Sequence, residues 1–193
     1  DGGARAMSRI GVLAVQGAFR EHIDVLSGLG AECFEIRKAS DLDGGADGLI
    51  LPGGESTVMG KLIRDLGMFG ALRDMVSSGV PVMGTCAGLI LLAEEVEGGE
   101  AHLGTLPVTV RRNAYGRQLG SFSAHGEFSG IGEVPLEFIR APMITRVGDG
   151  VEVLCECGGV PVAVRHGGQL AMSFHPELTP DRGIHSYFLD MMR

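Results

Sequence analysis

Gly84-Thr85-Cys86-Ala87-Gly88 constrains this chain more than any other stretch. The pentapeptide is built of small residues around one thiol. It separates two apolar runs, Val80-Pro-Val-Met83 and Leu89-Ile-Leu-Leu-Ala93. That order predicts a buried strand, a sharp turn and a helix, with Cys86 at the apex. Glycines on both sides allow a tight backbone turn without a Cβ clash. The Gly-x-nucleophile-x-Gly pattern is the elbow that lifts a nucleophile to the top of a sheet. A thiol at a helix N-terminus also lies where the backbone dipole favours its thiolate. A cysteine that merely fills a core needs no such pair of glycines.

A nucleophilic thiolate needs a base, and the C-terminal quarter supplies a candidate. Gln169–Phe174 reads as a strand running into His175-Pro176-Glu177. Proline cannot continue a ladder, so the strand stops and His175 is presented at its end. Glu177, two residues on, is within reach to orient the imidazole. Nucleophile, base and orienting carboxylate make up the general triad.

The spacing of apolar runs sets the frame around these residues. Strands are predicted at Arg9–Val15, Ala31–Ile36, Asp47–Leu51 and Val80–Met83. Helices are predicted at Ala18–Leu29, Ser56–Leu66 and Met68–Val76, where apolar residues recur at three- and four-residue intervals. This alternation implies an α/β fold, with a mainly parallel sheet covered by helices. From Thr105 to Phe174 the chain is strand-rich, which adds an antiparallel portion to that sheet. Gly183–Arg193 reads as a closing helix. Sites in such sheets form at the carboxyl ends of strands. Cys86, the Gly53-Gly54 loop and His175 each follow directly on a predicted strand, so they are expected to converge on one edge.

The 193 residues fit one domain at residues 9–193, behind a tail at residues 1–8. Met7 is a plausible start, making residues 1–6 an expression remnant. A net charge of −8 argues against nucleic acid. No apolar run reaches the length of a membrane span, and no signal peptide is visible, so a cytoplasmic location is expected. Of the four cysteines, Cys33 reads as packing. Cys155 and Cys157 share one strand face without further metal ligands at matching spacing. A disulfide framework is not expected in a reducing compartment. Leu51-Pro-Gly-Gly-Glu-Ser56 is a glycine turn leading into a helix, but it lacks the Lys-Ser/Thr of a phosphate-binding loop.

Cys86 in its elbow and the distant His175-Pro-Glu177 resemble a class I, triad-type glutamine amidotransferase. Further segments resemble the glutaminase subunits of pyridoxal phosphate synthases. They are Gly11-Val-Leu-Ala-Val-Gln-Gly-Ala-Phe-Arg-Glu-His22, Leu49-Ile-Leu-Pro-Gly-Gly-Glu-Ser-Thr57, Arg112-Asn-Ala-Tyr-Gly-Arg-Gln118, Phe138-Ile-Arg-Ala-Pro142 and Ser173-Phe-His-Pro-Glu-Leu-Thr179. The resemblance runs from about Arg9 to the C-terminus and implies a flavodoxin-like sheet. It implies that Cys86, His175 and Glu177 are catalytic, and that backbone N–H groups of Gly54 and Ala87 hold the oxyanion. A peptide flip at Gly53-Gly54 would separate inactive from active forms. Gly54, Glu55, Ser56, Arg112, Ile139 and Arg140 are implied to bind glutamine, and a guanidinium suits the α-carboxylate. His22 is a candidate for a partner interface, and the remaining histidines outside the triad read as surface or structural. Ser123 stands where the family leads one to expect glutamate.

The implied reaction converts L-glutamine to glutamate and ammonia through a thioester, with no metal or organic cofactor. The ammonia would pass to a (β/α)₈-barrel synthase within a large hetero-oligomer. One alternative is a glutaminase serving an imidazole-glycerol-phosphate or anthranilate synthase, which the Ala114–Gln118 stretch opposes. The other is a non-catalytic module on the same fold.

Overall fold

The computed structural model describes residues 7–112 and 120–193. Strand β1 (Arg9–Leu13) leads into helix α1 (Phe19–Gly28) and β2 (Glu32–Ile36). A 3₁₀ turn precedes β3 (Gly48–Leu51), which is followed by α2 (Ser56–Asp65) and α3 (Phe69–Ser77). Next come β4 (Val82–Thr85), the six-residue α4 (Ala87–Leu92) and β5 (Ala93–Glu97). The second half runs β6 (Leu106–Arg111), β7 (Ser121–Phe128), β8 (Gly132–Ile139) and β9 (Met143–Val147). It closes with β10 (Glu152–Cys157), β11 (Val160–His166), β12 (Gln169–Met172) and α5 (Gly183–Asp190).

Seven strands form the main sheet in the order β10-β11-β12-β4-β3-β1-β2. From β12 to β2 all neighbours are parallel, and β10 and β11 extend the sheet antiparallel. Alternate residues of the central strands enter opposite cores, as period-two side chains must. Leu49 and Leu51 face the cluster built with α2, α3 and α4, whereas Ile50 faces the cluster shared with α1 and α5. Burial on both faces accounts for the near-continuous apolar runs in these strands.

The strand-rich second half divides in a way its alternation does not reveal. Only β10, β11 and β12 join the main sheet. β6 pairs with β5 and β9 in a three-stranded sheet, and β7 pairs with β8 alone. Leu106, Val108 and Val110 on β6 are buried in the cluster on the α4 side, which anchors that small sheet there. Phe128, Val134, Leu136 and Phe138 secure the β7–β8 hairpin on the opposite face. Two strands end short of their apolar runs: β1 stops at Leu13 and β12 at Met172. A bulge in β10 lets Leu154 and Cys155 both enter one cluster, with Cys157 packed against it.

Close packing fixes the elbow. A Cβ on Gly88 would lie 1.9 Å from the Leu51 carbonyl oxygen, and one on Gly84 would lie 2.7 Å from the Gly88 backbone. Strand β3 and helix α4 therefore approach at a distance only glycine allows. Gly88→Ala is expected to destabilise the fold by about 3 kcal/mol through overpacking against backbone. That corresponds to a Tm lower by roughly 6–12 °C. Gly70→Ala is expected to act in the opposite sense, because Gly70 lies within α3 and a Cβ there meets nothing within 4 Å. Its gain is about 0.5–1 kcal/mol, and calorimetry on both variants checks the pair of signs.

Candidate active site

Parallel register assembles the site. β4 and β12 pair with Thr85 opposite Met172, and β3 pairs with β4 with Leu51 opposite Gly84. The residues that leave these strands therefore emerge side by side. Cys86 follows Thr85, Gly53-Gly54 follow Leu51, and His175 lies three residues beyond Met172. The Cys86 N–H donates to the Met172 carbonyl at 2.9 Å, and the Ile90 N–H donates to the Cys86 carbonyl at 3.3 Å. Cys86 itself has φ 52°, in the left-handed region, so the turn is completed on its own backbone. Arg140 shares this unusual state at φ 43°. It follows Ile139, whose carbonyl accepts from the Cys86 thiol at 3.8 Å.

His175 is buried and held from three sides. Its N–H donates to the Glu137 carbonyl at 2.8 Å. The 3₁₀ turn Pro176–Leu178 starts with proline and brings Glu177 back under the ring, where Oε1 lies 2.5 Å from Nδ1. Gly53 supports the far side, since a Cβ there would lie 2.3 Å from the ring's Cε1. Burial alone would lower the His175 pKa, but hydrogen bonds to Cys86 and Glu177 and their negative charges outweigh it and raise the pKa to about 10. The cationic form of the His175 ring is thus favoured.

A cavity of about 340 Å³ opens over these groups. Cys86, Ala87 and His175 line it together with Gly54, Glu55, Ser56, Arg112, Ile139 and Arg140. Every residue expected from the sequence to catalyse or to bind lines this space except Glu177, which sits behind His175. The Ala114–Gln118 stretch lies outside the described residues, although Arg112 at its edge is described. The Gly53 carbonyl accepts from the Ala18 N–H at 2.9 Å, and Gln16 Oε1 accepts from the Glu55 N–H at 2.8 Å. Gln16, which lies between the predicted first strand and first helix, is therefore a brace for the glycine loop.

Two other expectations change. His22 is fully buried, which removes it from any partner surface. Ser123 lies opposite Glu137 on the β7–β8 hairpin and donates to Glu137 Oε2 at 2.6 Å. A glutamate at 123 would set two carboxylates against each other there. The remaining cysteines lie away from the cavity, and burial raises the Cys33 thiol and lifts Cys155 to about 11.

A thiol on a left-handed elbow, beside a strand-end histidine backed by glutamate, sits in an α/β chain of the glutamine amidotransferase class. The chain belongs to the SNO glutamine amidotransferase family, whose profile matches residues 12–193. It is 62% identical over 184 residues to the pyridoxal 5'-phosphate synthase subunit PdxT of Methanocorpusculum labreanum, covering 95% of this chain and 97% of the relative. The subunit of the same name from Streptococcus pneumoniae is 52% identical over 189 residues, covering 96% and 98%. A crystal structure of a glutamine amidotransferase superposes with a TM-score of 0.90 at 49% identity, covering 95% of this chain and 98% of that one. PurLQS from Thermotoga maritima, at 18% identity and a TM-score of 0.66 over 97% of this chain and all of that one, shares the fold.

The raised His175 pKa has a measurable sign. Its stabilising contribution is fully present below the unfolded value of about 6.5 and is lost as pH rises through about 10. NMR of the His175 ring is expected to give a titration midpoint near 10. In Glu177→Gln the midpoint is expected to fall, because a charge that raises it has gone.

Proposed function

We propose that this chain hydrolyses L-glutamine and delivers the ammonia to a synthase that makes pyridoxal 5'-phosphate. The observation that carries the reading is the meeting of Cys86 and His175 at one cavity, with Glu177 behind His175 and its Oε1 2.5 Å from the ring's Nδ1. The Cys86 thiolate attacks the side-chain carboxamide carbon. The carbonyl π electrons move to oxygen, and the oxyanion accepts hydrogen bonds from the N–H groups of Gly54 and Ala87. The His175 imidazolium gives its proton to the amide nitrogen, the C–N bond breaks, and ammonia leaves with the glutamyl thioester remaining on Cys86. His175, now neutral, takes a proton from water, whose oxygen attacks the thioester carbon. Collapse expels the Cys86 thiolate, releasing glutamate and restoring the ion pair. Glu177 keeps the imidazole oriented and offsets its charge. Glu55, Ser56, Ile139, Arg112 and Arg140 hold the glutamine, with a guanidinium facing its α-carboxylate. No metal or organic cofactor takes part in this step.

The partner is read as a (β/α)₈-barrel synthase in a hetero-oligomer, docking near α1 and the glycine loop. The Gly53-Gly54 peptide is the proposed gate. Its carbonyl is engaged by Ala18, and Gln16 braces the adjoining residue. A partner that shifts the Gln16–Ala18 segment would act directly on this peptide. A missing oxyanion donor is worth about 3–4 kcal/mol in barrier, enough to separate a nearly silent free chain from an active complex. The relatives named PdxT support the assignment to this synthase over imidazole-glycerol-phosphate or anthranilate systems.

Glutamine hydrolysis measured with and without the barrel synthase is expected to rise strongly on complex formation. Unchanged activity at saturating synthase would remove the gate while leaving the chemistry. Cys86→Ala is expected to abolish hydrolysis with the fold intact. His175→Asn should be nearly as damaging and Glu177→Gln less so. The triple variant should cost little more than the worst single one, since triad members act as a unit. Wild-type turnover by a partner-saturated Cys86→Ala sample would overturn the assignment.

A further inference from the structure

We propose that His22 is a positioning residue for the triad, holding the second carboxylate oxygen of Glu177 from behind through a chain of neutral imidazoles ending at His185. The inference rests on the reading of Cys86, His175 and Glu177 as the reacting triad. Glu177 Oε1 is committed to His175, but its buried Oε2 has no hydrogen-bond partner among the described residues. The His22 Nε2 atom lies 3.4 Å from Oε2. The same nitrogen lies 3.2 Å from Thr85 Oγ1, and His22 Nδ1 lies 2.9 Å from His185 Nε2. His22 on α1 and His185 on α5 are both fully buried. One imidazole thus touches the triad carboxylate and the residue before the nucleophile.

The protons on this chain of rings can be assigned by elimination. Burial first, and then the neighbouring His185 and His175, keep His22 well below the usual histidine range, and burial holds His185 at about 4. Both rings are therefore neutral at physiological pH, each with one N–H and one lone pair. If His22 carried its proton on Nδ1, the Nε2 lone pair would face the Glu177 carboxylate. His185 would then be left with a buried N–H on Nδ1, an atom that has no partner. The opposite arrangement avoids both costs. His185 donates from Nε2 to His22 Nδ1. His22 then donates from Nε2 to the Thr85 hydroxyl and presents the same N–H edge towards Glu177 Oε2, 3.4 Å away. Only a bare lone pair on His185 Nδ1 stays unsatisfied.

The consequence for the triad is orientational. A carboxylate rotates about its terminal bond, a broad two-fold torsion. With Oε2 addressed from behind, Oε1 stays aimed at His175 Nδ1. Without that donor, the carboxylate is free to turn away from His175, which loses part of the interaction that raises its pKa.

Two substitutions separate positioning from simple packing. Glutamine at 22 can carry an amide N–H close to where Nε2 sits, whereas asparagine is too short and reaches only the Nδ1 site. On the full chain with saturating synthase, His22→Asn is expected to lower kcat about tenfold or more with KM nearly constant. It should also lower the His175 titration midpoint from about 10. His22→Gln is expected to restore most of both. Wild-type kcat and an unmoved midpoint in folded His22→Asn would overturn the proposal. So would equal losses in the two variants that follow their loss of Tm. ¹⁵N NMR of the resting protein tests the hydrogen-bond chain independently of turnover. His22 and His185 should both be protonated on Nε2, and a proton on His22 Nδ1 would refute the chain. If the wild-type protein hydrolyses no glutamine, the functional reading falls. The ¹⁵N spectrum still decides the hydrogen-bond chain.

Discussion

The approach of β3 to α4 across Gly88 is the constraint on which the rest of this site depends. The Leu51 carbonyl occupies the space a side chain at 88 would need, and Gly84 meets the Gly88 backbone from the other side. With the chain pinched at both ends, Cys86 is forced into a left-handed conformation. That state costs of order 1–3 kcal/mol at a non-glycine residue. The surrounding sheet sustains it through the Met172 carbonyl and the first bond of α4. The thiol therefore projects from a rigid ledge rather than from a loop, which suits a group whose reach must be fixed.

Electrostatics then divide the buried polar groups into two kinds. His175 is driven towards the cation by anionic neighbours despite burial, while His22 and His185, a few ångströms further in, are driven towards neutrality. Three histidines in one region thus hold different charge states. The difference comes from who their partners are rather than from depth alone. A second cation behind Glu177 would compete with His175 for its charge. Two neutral rings give direction without that competition.

Much of this arrangement is legible in the sequence because it follows from local chemistry. The glycines around Cys86 and the proline after His175 are turn signals with unambiguous mechanisms, and β-α alternation puts the loops after parallel strands on one edge. The family-specific segments single out Gly54, Glu55, Ser56, Arg112, Ile139 and Arg140, and these line the cavity. What stays hidden depends on distance in space. The division of the later strands among three sheets rests on which face each apolar row is buried against. His22 reads as a surface residue because helical spacing does not reveal that α1 and α5 meet beneath the triad. Gln16 reads as a turn residue because its role is a single long-range hydrogen bond to Glu55.

The β7–β8 hairpin meets the triad through its main chain. Glu137 offers its carbonyl to the His175 N–H, and Ile139 offers its carbonyl to the Cys86 thiol. Carbonyl oxygens are common to every amino acid, so these two supports are blind to the side chains that carry them. The hairpin is thereby released from the residue-by-residue stringency that governs the elbow. Its exposed side chains can change while the strand path still delivers the same two oxygens. An enzyme built this way keeps its chemistry under tight inheritance and leaves part of the frame free to adapt to whatever surface it meets.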